Sequence, residues 1–523
     1  MRNNILLCLL LLIAVKGQAQ KTSENFSKTL APLADRDYGK LEVMLENARK
    51  TWNVPGLAVG IVHKGKVVFA KGFGTCTQDK NDPVNENTNF GVASNTKAFT
   101  AVAIAMLVQE GKLKFEDKVI DHLPWFAAYN DYVTKEMTIR DLLTHHSGLE
   151  TFSGDLIWYG STHSRKEIVE RSRHLKPKYG FREKFGYSNI HFLAAGLVIE
   201  KASGMTYDDF VKTKIFMPLG MKGTNTSIKD NPKTNVATPH AQPDGKNIPI
   251  PYVNWDNIAP AGSINSSVTD MLKWLDVLVH SGKYEGGELV NATTFSKLIQ
   301  PVTATPISFV SQKLHPSKHL SAYGMGFNMF DYHGALVVNH AGGLDGMISH
   351  TAFVPEHEFG LVILCNAGVG LPGVLFYDVL DFMMEEPGFN YYKKYYDIIS
   401  RNNANEKAEN DKKWAGAIPG MKPPLDYEAY AGQYSGKVYG SVTVEERSGK
   451  LYFKMDHSPM FYAELNYWKD DLFYFDFKEV PSLPRGTVKF IVNNESKHVS
   501  QMVIDCPNPD FDFTELDLMR ERK

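Results

Sequence analysis

Phe90-Gly-Val-Ala-Ser94-Asn-Thr-Lys97 carries an apolar, strand-like stretch into a helix, and the reading of this junction decides the rest of the chain. A serine on the first helical turn meets the positive end of the helix dipole, and the residue three positions on lies over the same face. Lys97 therefore reaches Ser94. A serine hydroxyl is a poor nucleophile near neutral pH unless a neighbouring base takes its proton, and an amine held out of water has its pKa lowered toward that task. The chain holds no other Ser-x-x-Lys. The tetrapeptide alone also fits a serine that caps a helix, with a solvated lysine one turn on. Phe99, Val102, Ala103, Met106 and Leu107 recur at helical spacing until Gly111, which predicts a helix with one face in a core.

Acyl transfer from a Ser–Lys pair needs a proton donor for the leaving group and donors for the tetrahedral oxyanion. Tyr187-Ser188-Asn189 follows Phe185-Gly186 and precedes an apolar helix beginning near Ile190, so its polar groups sit at a loop-to-helix junction. The phenol relays a proton and the amide binds a carbonyl; the alternative is a turn with Asn189 as helix cap. Tyr252-Val253-Asn254 shows the same triplet in another context. His340-Ala341-Gly342, followed by Gly343, leaves the apolar run Leu336-Val337-Val338, and its small residues let a substrate lie along exposed backbone. His340 would orient a substrate carboxylate or tune the tyrosine. His146-Ser147-Gly148 and His280-Ser281-Gly282 share the pattern, but only His340 directly precedes a predicted hairpin.

That hairpin, Ile348 to Val354 and Phe359 to Cys365, has a partner far upstream, Leu57 to Val62 and Val67 to Ala70. Two hairpins flanking a helix-rich middle predict one sheet assembled from both ends of an α+β domain. Helices are expected near residues 41–51, 95–110, 137–145, 190–202, 206–216, 269–281, 292–299 and 371–385. Residues 386–424 become tyrosine-rich and then polar, and read as a linker with some helix. From Tyr427 onward short strands alternate with turns, predicting a small all-β barrel or sandwich over 425–523.

A chain of 523 residues has room for two or three domains. A formal charge of −2 gives no reason to expect nucleic acid as partner. Arg2, the apolar run Ile5–Val15 and Gly17-Gln-Ala19 read as an export signal over 1–19, which places the mature chain in the periplasm or outside the cell. A retained anchor is the alternative; no later stretch is long and apolar enough to span a membrane. Cys76, Cys365 and Cys506 are too few and scattered for a disulfide framework or a zinc site. His145, His146 and His163 lack the carboxylate spacing of a metal site and read as structural. No cofactor is expected. The Gly-x-Ser-x-Gly elbow and the His-Glu-x-x-His pair are both missing from the chain.

Taken in order, Ser94-Asn-Thr-Lys97, Tyr187-Ser-Asn189 and His340-Ala-Gly342 resemble the three signatures of the serine β-lactamase and penicillin-binding-protein superfamily. The branch resembled contains class C β-lactamases, D-alanyl-D-alanine carboxypeptidases, D-aminopeptidases and esterases. Leu142-Leu-Thr-His-His-Ser-Gly-Leu149, Pro218-Leu-Gly-Met221 and Pro260-Ala-Gly-Ser-Ile264 are also similar, and the likeness covers residues 38–385, followed by a β-rich accessory domain. It implies a β-lactamase/transpeptidase-like fold, an antiparallel sheet flanked by helices with an all-helical region. It further implies a Ser94 acyl-enzyme with Lys97 and Tyr187 as proton shuttles, Asn189 on the substrate's amide, and an oxyanion hole from the N–H groups of Ser94 and Gly343. The substrate would be a D-amino-acid peptide, an ester or a β-lactam. Class C enzymes carry lysine where His340 stands, and imidazole, with an ordinary pKa of about 6.5, is a weaker cation. The departure favours a peptidase or esterase; a β-lactamase, or a non-hydrolytic binder of penicillin or peptidoglycan fragments, is the alternative.

Overall fold

The two distant hairpins meet in one antiparallel sheet. The computed structural model describes residues 36–521 except 389, 416–420, 494 and 509, so the expected signal at 1–19 lies outside the described residues. The sheet strands are β1 (Gly56–His63), β2 (Lys66–Gly74), β3 (Thr303–Ala304), β4 (Ser321–Tyr323), β5 (Asn328–Tyr332), β6 (Ala335–Leu344), β7 (Met347–Val354) and β8 (Phe359–Cys365). Their spatial order is β2-β1-β8-β7-β6-β5-β4-β3. The β1–β8 pairing, Leu57 opposite Cys365, closes the sheet between the two ends of the domain.

β1 and β8 are buried along their whole length, and apolar but for His63 at the end of β1, because both faces are covered. Leu57, Val59 and Ile61 pack with Leu41 and Leu45 of the helix Tyr38–Thr51 and with the helix Leu371–Met384. Ala58 and Val62 face the opposite cluster, which includes the helix Val268–Val279 and the helical region.

The helix Thr96–Gln109 departs from the one-sided expectation. Every residue from Thr96 to Leu107 is buried, because the helix runs between the sheet and the helical region rather than over a surface. Phe99 stacks on Trp274 with ring centroids 3.9 Å apart, an arrangement that adds about 1 kcal/mol beyond burial. The mount of the Ser94 turn is therefore held on all sides.

The stretch expected as a linker forms a 24-residue helix, Tyr391–Trp414. Asp378 accepts from the backbone N–H groups of Tyr391 (2.8 Å) and Tyr392 (2.9 Å), two donors that a helix start leaves without partners. Trp52 Nε1 donates to Tyr392 O. Arg401 to Lys413 is exposed throughout, so no apolar stripe marks it as helix; it bridges two domains as an all-polar helix does. At its far end Trp414 packs against Trp468 at 5.0 Å.

The C-terminal strands close into an eight-stranded antiparallel barrel in chain order. Its interior holds Tyr430, Tyr434, Phe453, Phe473 and Phe490. The barrel seats on the segment 152–163 of the first domain. Tyr159 is gripped between Phe461 (5.7 Å) and Phe511 (4.6 Å), Ser458 Oγ donates to Tyr159 O, and Thr162 N donates to His457 O. Cys76, Cys365 and Cys506 are free thiols, each buried.

Candidate active site

The Ser94 turn is built by strain at one end and a deep anchor at the other. Ala93 has φ +47°, a left-handed conformation costly for a residue with a Cβ, and begins a single 3-10 turn, Ala93–Asn95, ahead of the main helix. Val92 N donates to Ile264 O, and Ser349 Oγ of β7 donates to Val92 O. Asn95 Nδ2 donates to Ser349 Oγ, and Thr351 bonds to Asn95 Oδ1. Ser94 is thereby raised half-exposed from buried neighbours.

Lys97 is completely buried. Its Nζ lies 3.2 Å from Ser94 Oγ, 2.7 Å from Asn189 Oδ1 and 2.8 Å from Ala261 O. The last two are pure acceptors and each takes one N–H. The remaining direction, a lone pair in the neutral amine, faces the Ser94 hydroxyl. Burial lowers the Lys97 pKa to about 7, against a smaller upward pull from Asp155. Its partner Ala261 belongs to the Pro260-Ala-Gly segment of the sequence, now seen as a short helix, Ala259–Gly262.

Tyr187 stands over the same amine, its ring centroid 4.7 Å from Lys97 Nζ, with its phenol close to Ser94. Removal from water pushes the phenol well above its ordinary range, so it stays protonated at neutral pH. His145 lies against Tyr187 with ring centroids 4.2 Å apart and accepts from Ser188 N at Nδ1. Burial, then the Lys97 charge, keeps this imidazole neutral.

Ser188, not Asn189, caps the helix Asn189–Ser203 by accepting from His191 N. This leaves the Asn189 amide free to reach sideways. Its oxygen holds Lys97, and Nδ2 donates to Asp155 Oδ2 at 2.7 Å. One N–H is left to meet a substrate, so most of this side chain serves Lys97 rather than the substrate amide that the resemblance implied.

His340 is 3% exposed. Nδ1 donates to Ala341 O at 2.6 Å, so Nε2 accepts from Tyr323 OH at 3.0 Å. Burial and the nearby Lys97 charge depress its pKa to about 3. Its ring centroid lies 6.3 Å from that of Tyr187. The imidazole is thus a neutral, saturated support and offers no cation to a substrate carboxylate. A Cβ on Gly342 would fall 2.2 Å from Val92 O and 3.0 Å from Ser94 N, which is why this position tolerates only hydrogen. The close approach brings β6 against the Ser94 turn, while Ala341 and Gly343 stay exposed along it.

Ser94, Lys97, Tyr187, Asn189, His340 and Gly342 therefore converge on one site. The histidines weighed as metal ligands part company: His145 lies against Tyr187, whereas His163 bonds to Tyr439 O of the barrel and stacks on His457, and no group of three potential metal ligands occurs among the described residues. Asp155, Tyr323 and His145 complete the site and were not anticipated. Only His145 lay in a motif already singled out.

This fold, with a serine, a buried lysine and a tyrosine at the meeting of sheet and helical region, defines a serine hydrolase. The family described as Beta-lactamase matches residues 44–376, and the chain belongs to it; a domain of unknown function (DUF3471) matches residues 417–520. The unguisins hydrolase ungD' of Aspergillus campestris is 27% identical over 458 residues, 79% of each chain. Among solved structures, the octameric penicillin-binding protein homologue of Pyrococcus abyssi aligns over 92% of this chain and all of its own, with a TM-score of 0.60 and 21% identity. The D-amino acid amidase of Ochrobactrum anthropi covers 66% of this chain and 98% of its own, with a TM-score of 0.54 and 22% identity. The chain shares their fold.

Proposed function

We propose that this chain is an exported peptidase or esterase that cleaves an amide or ester next to a D-amino-acid residue through an acyl-enzyme on Ser94. The observation that carries the reading is the Lys97 amine, 3.2 Å from Ser94 Oγ with its other two directions held by acceptors. Lys97 takes the Ser94 proton as Oγ attacks the carbonyl carbon, and the N–H groups of Ser94 and Gly343 receive the developing oxyanion. The protonated Tyr187 phenol gives its proton to the departing amine or alcohol as the C–N or C–O bond breaks. Lys97 then returns its proton to Tyr187, and the free amine draws a proton from the water that attacks the acyl carbon and hands it to Ser94 Oγ as the C–Oγ bond breaks.

Two observations favour peptidase or esterase over β-lactamase. The His340 imidazole is neutral and saturated, so the fixed cation that would meet a β-lactam carboxylate is missing at this position. Among the proteins of shared fold, one is a D-amino acid amidase and a more similar relative is an unguisins hydrolase. We read residues 1–19 as the export signal; removing them is expected to retain the protein inside the cell.

A panel of p-nitrophenyl esters, D-alanyl peptides, D-amino-acid amides and nitrocefin tests the reading. Turnover of the first three classes, lost in Ser94→Ala, is expected. Turnover of nitrocefin alone would overturn the substrate class, and activity surviving in Ser94→Ala would overturn the nucleophile.

A further inference from the structure

The barrel touches more than the outside of the first domain. Glu515, on the barrel's last connection, accepts from Gly154 N at 2.8 Å and is hydrogen-bonded by Ser153 Oγ. Gly154 has φ +81°, and a Cβ there would sit 2.7 Å from Leu175, so the backbone turns left-handed in a confined space. The next residue is Asp155. Its two carboxylate oxygens accept from Trp158 Nε1 (2.8 Å) and Asn189 Nδ2 (2.7 Å), and it is 3% exposed. Asn189 Oδ1 in turn holds Lys97 Nζ. A continuous run of bonds therefore leads from the barrel to the amine beside Ser94.

We propose that Glu515 is a positioning residue for the acylation base: by fixing Ser153 and Gly154 it sets Asp155, which orients the Asn189 amide and through it Lys97. The inference rests on the assignment of Lys97 as the base. The bonds from Gly154 N to Glu515 and from Trp158 Nε1 and Asn189 Nδ2 to Asp155 each join a pure donor to a carboxylate, so breaking one leaves a buried group unpaired; only the Ser153 hydroxyl can turn to donate or accept. Asn189 is the decisive link. With its Nδ2 tied to a carboxylate its oxygen must face Lys97, whereas a flipped amide would turn N–H groups toward the ammonium and push it off Ser94. In this arrangement the C-terminal domain is part of the catalytic apparatus rather than an appended module.

The test uses the full-length protein and a fluorophosphonate probe, with the labelling rate followed against probe concentration. Glu515→Ala is expected to lower the saturating rate about tenfold, with the half-saturating concentration within about twofold of wild type. Glu515→Gln keeps both contacts, with Ser153 turned to accept, and is expected to restore most of the rate. Ser458→Ala, which cuts a different bond across the same interface, is expected to match wild type. A wild-type rate in Glu515→Ala overturns the proposal, as does an equal loss in Ser458→Ala, which would point to the interface as a whole. A Gln variant as slow as Ala would point to charge instead of position and also overturn it. Should Glu515→Ala fail to fold, Glu515→Asp, one methylene short, carries the same expectation and the same refutation. Lys97→Ala separates this from the underlying assignment. Loss there with wild-type labelling in Glu515→Ala overturns only the link to the barrel; wild-type labelling in Lys97→Ala overturns the base and the link together.

Discussion

Two nitrogen bases flank Ser94, both buried and both held by hydrogen bonds, yet they are prepared for opposite ends. Around Lys97, two partners accept and the third is the hydroxyl to be activated, so losing a proton leaves a lone pair aimed at Ser94. Around His340, one nitrogen gives its proton to a carbonyl and the other receives one from Tyr323, so neither has anything to exchange. Burial lowers both pKa values, but from different starting points. Lysine is brought down to about 7, inside the working range, and histidine down to about 3, outside it. The same desolvation makes one base available and silences the other.

The largest effects that would break this contrast lie on the lysine side. Ser94→Ala should reduce ester hydrolysis by about 10⁴-fold or more, measured as initial rate. Lys97→Ala should cost about 10³-fold in acylation, read from the burst of p-nitrophenol; a variant retaining most of its activity would return Lys97 to a structural role. Tyr187→Phe should slow acylation about 10²-fold while leaving KM close to wild type.

The pH profile sharpens the contrast. Because Lys97 must be neutral to accept the serine proton, acylation should climb about tenfold per pH unit below the Lys97 pKa and level above it. The bend is expected near pH 7. Burial also raises the Asp155 carboxyl to about 7, so a separate limb near the ordinary histidine value would show that His340 titrates only if it persists in Asp155→Asn. The smallest effect is expected from Tyr323→Phe, which removes one buried hydrogen bond at about 1 kcal/mol of stability, read by thermal unfolding, and leaves labelling of Ser94 largely intact.

Much of this was readable from residue order. Ser94, Lys97, Tyr187 and His340 stand in motifs whose neighbours (a helix start, a loop-to-helix junction, a strand before a hairpin) say which element carries them. The β1 and β8 strands were readable for a different reason: burial on both faces leaves an unbroken apolar run. What stayed hidden depends on distance in space. Asp155 has no telling spacing to Asn189, since a loop brings them together across 34 positions. The orientation of the Asn189 amide follows from that contact and not from its motif. The helix Tyr391–Trp414 has a hydrophobic period only at its start, where Tyr391, Tyr392, Tyr395 and Ile399 pack on the first domain, so some helix was readable there; the exposed run from Arg401 to Lys413 gave no sign of its length. Three barrel strands, Gly432–Gly436, Tyr462–Lys469 and Leu518–Arg520, also went unread. Two of them are short, and their closure comes from the ring rather than from their own pattern.

That exposed helix has a consequence for how the two domains stay together. At 24 residues it spans about 36 Å, and in its polar middle the exposed Lys407–Asp244 pair (3.1 Å) reaches the first domain, a solvent-screened contact that holds little. A protease cutting there would sever the chain without severing the molecule, because Tyr159 remains clasped by Phe461 and Phe511. The halves would then copurify as a nicked pair, and the enzyme could be reassembled from two separately encoded fragments.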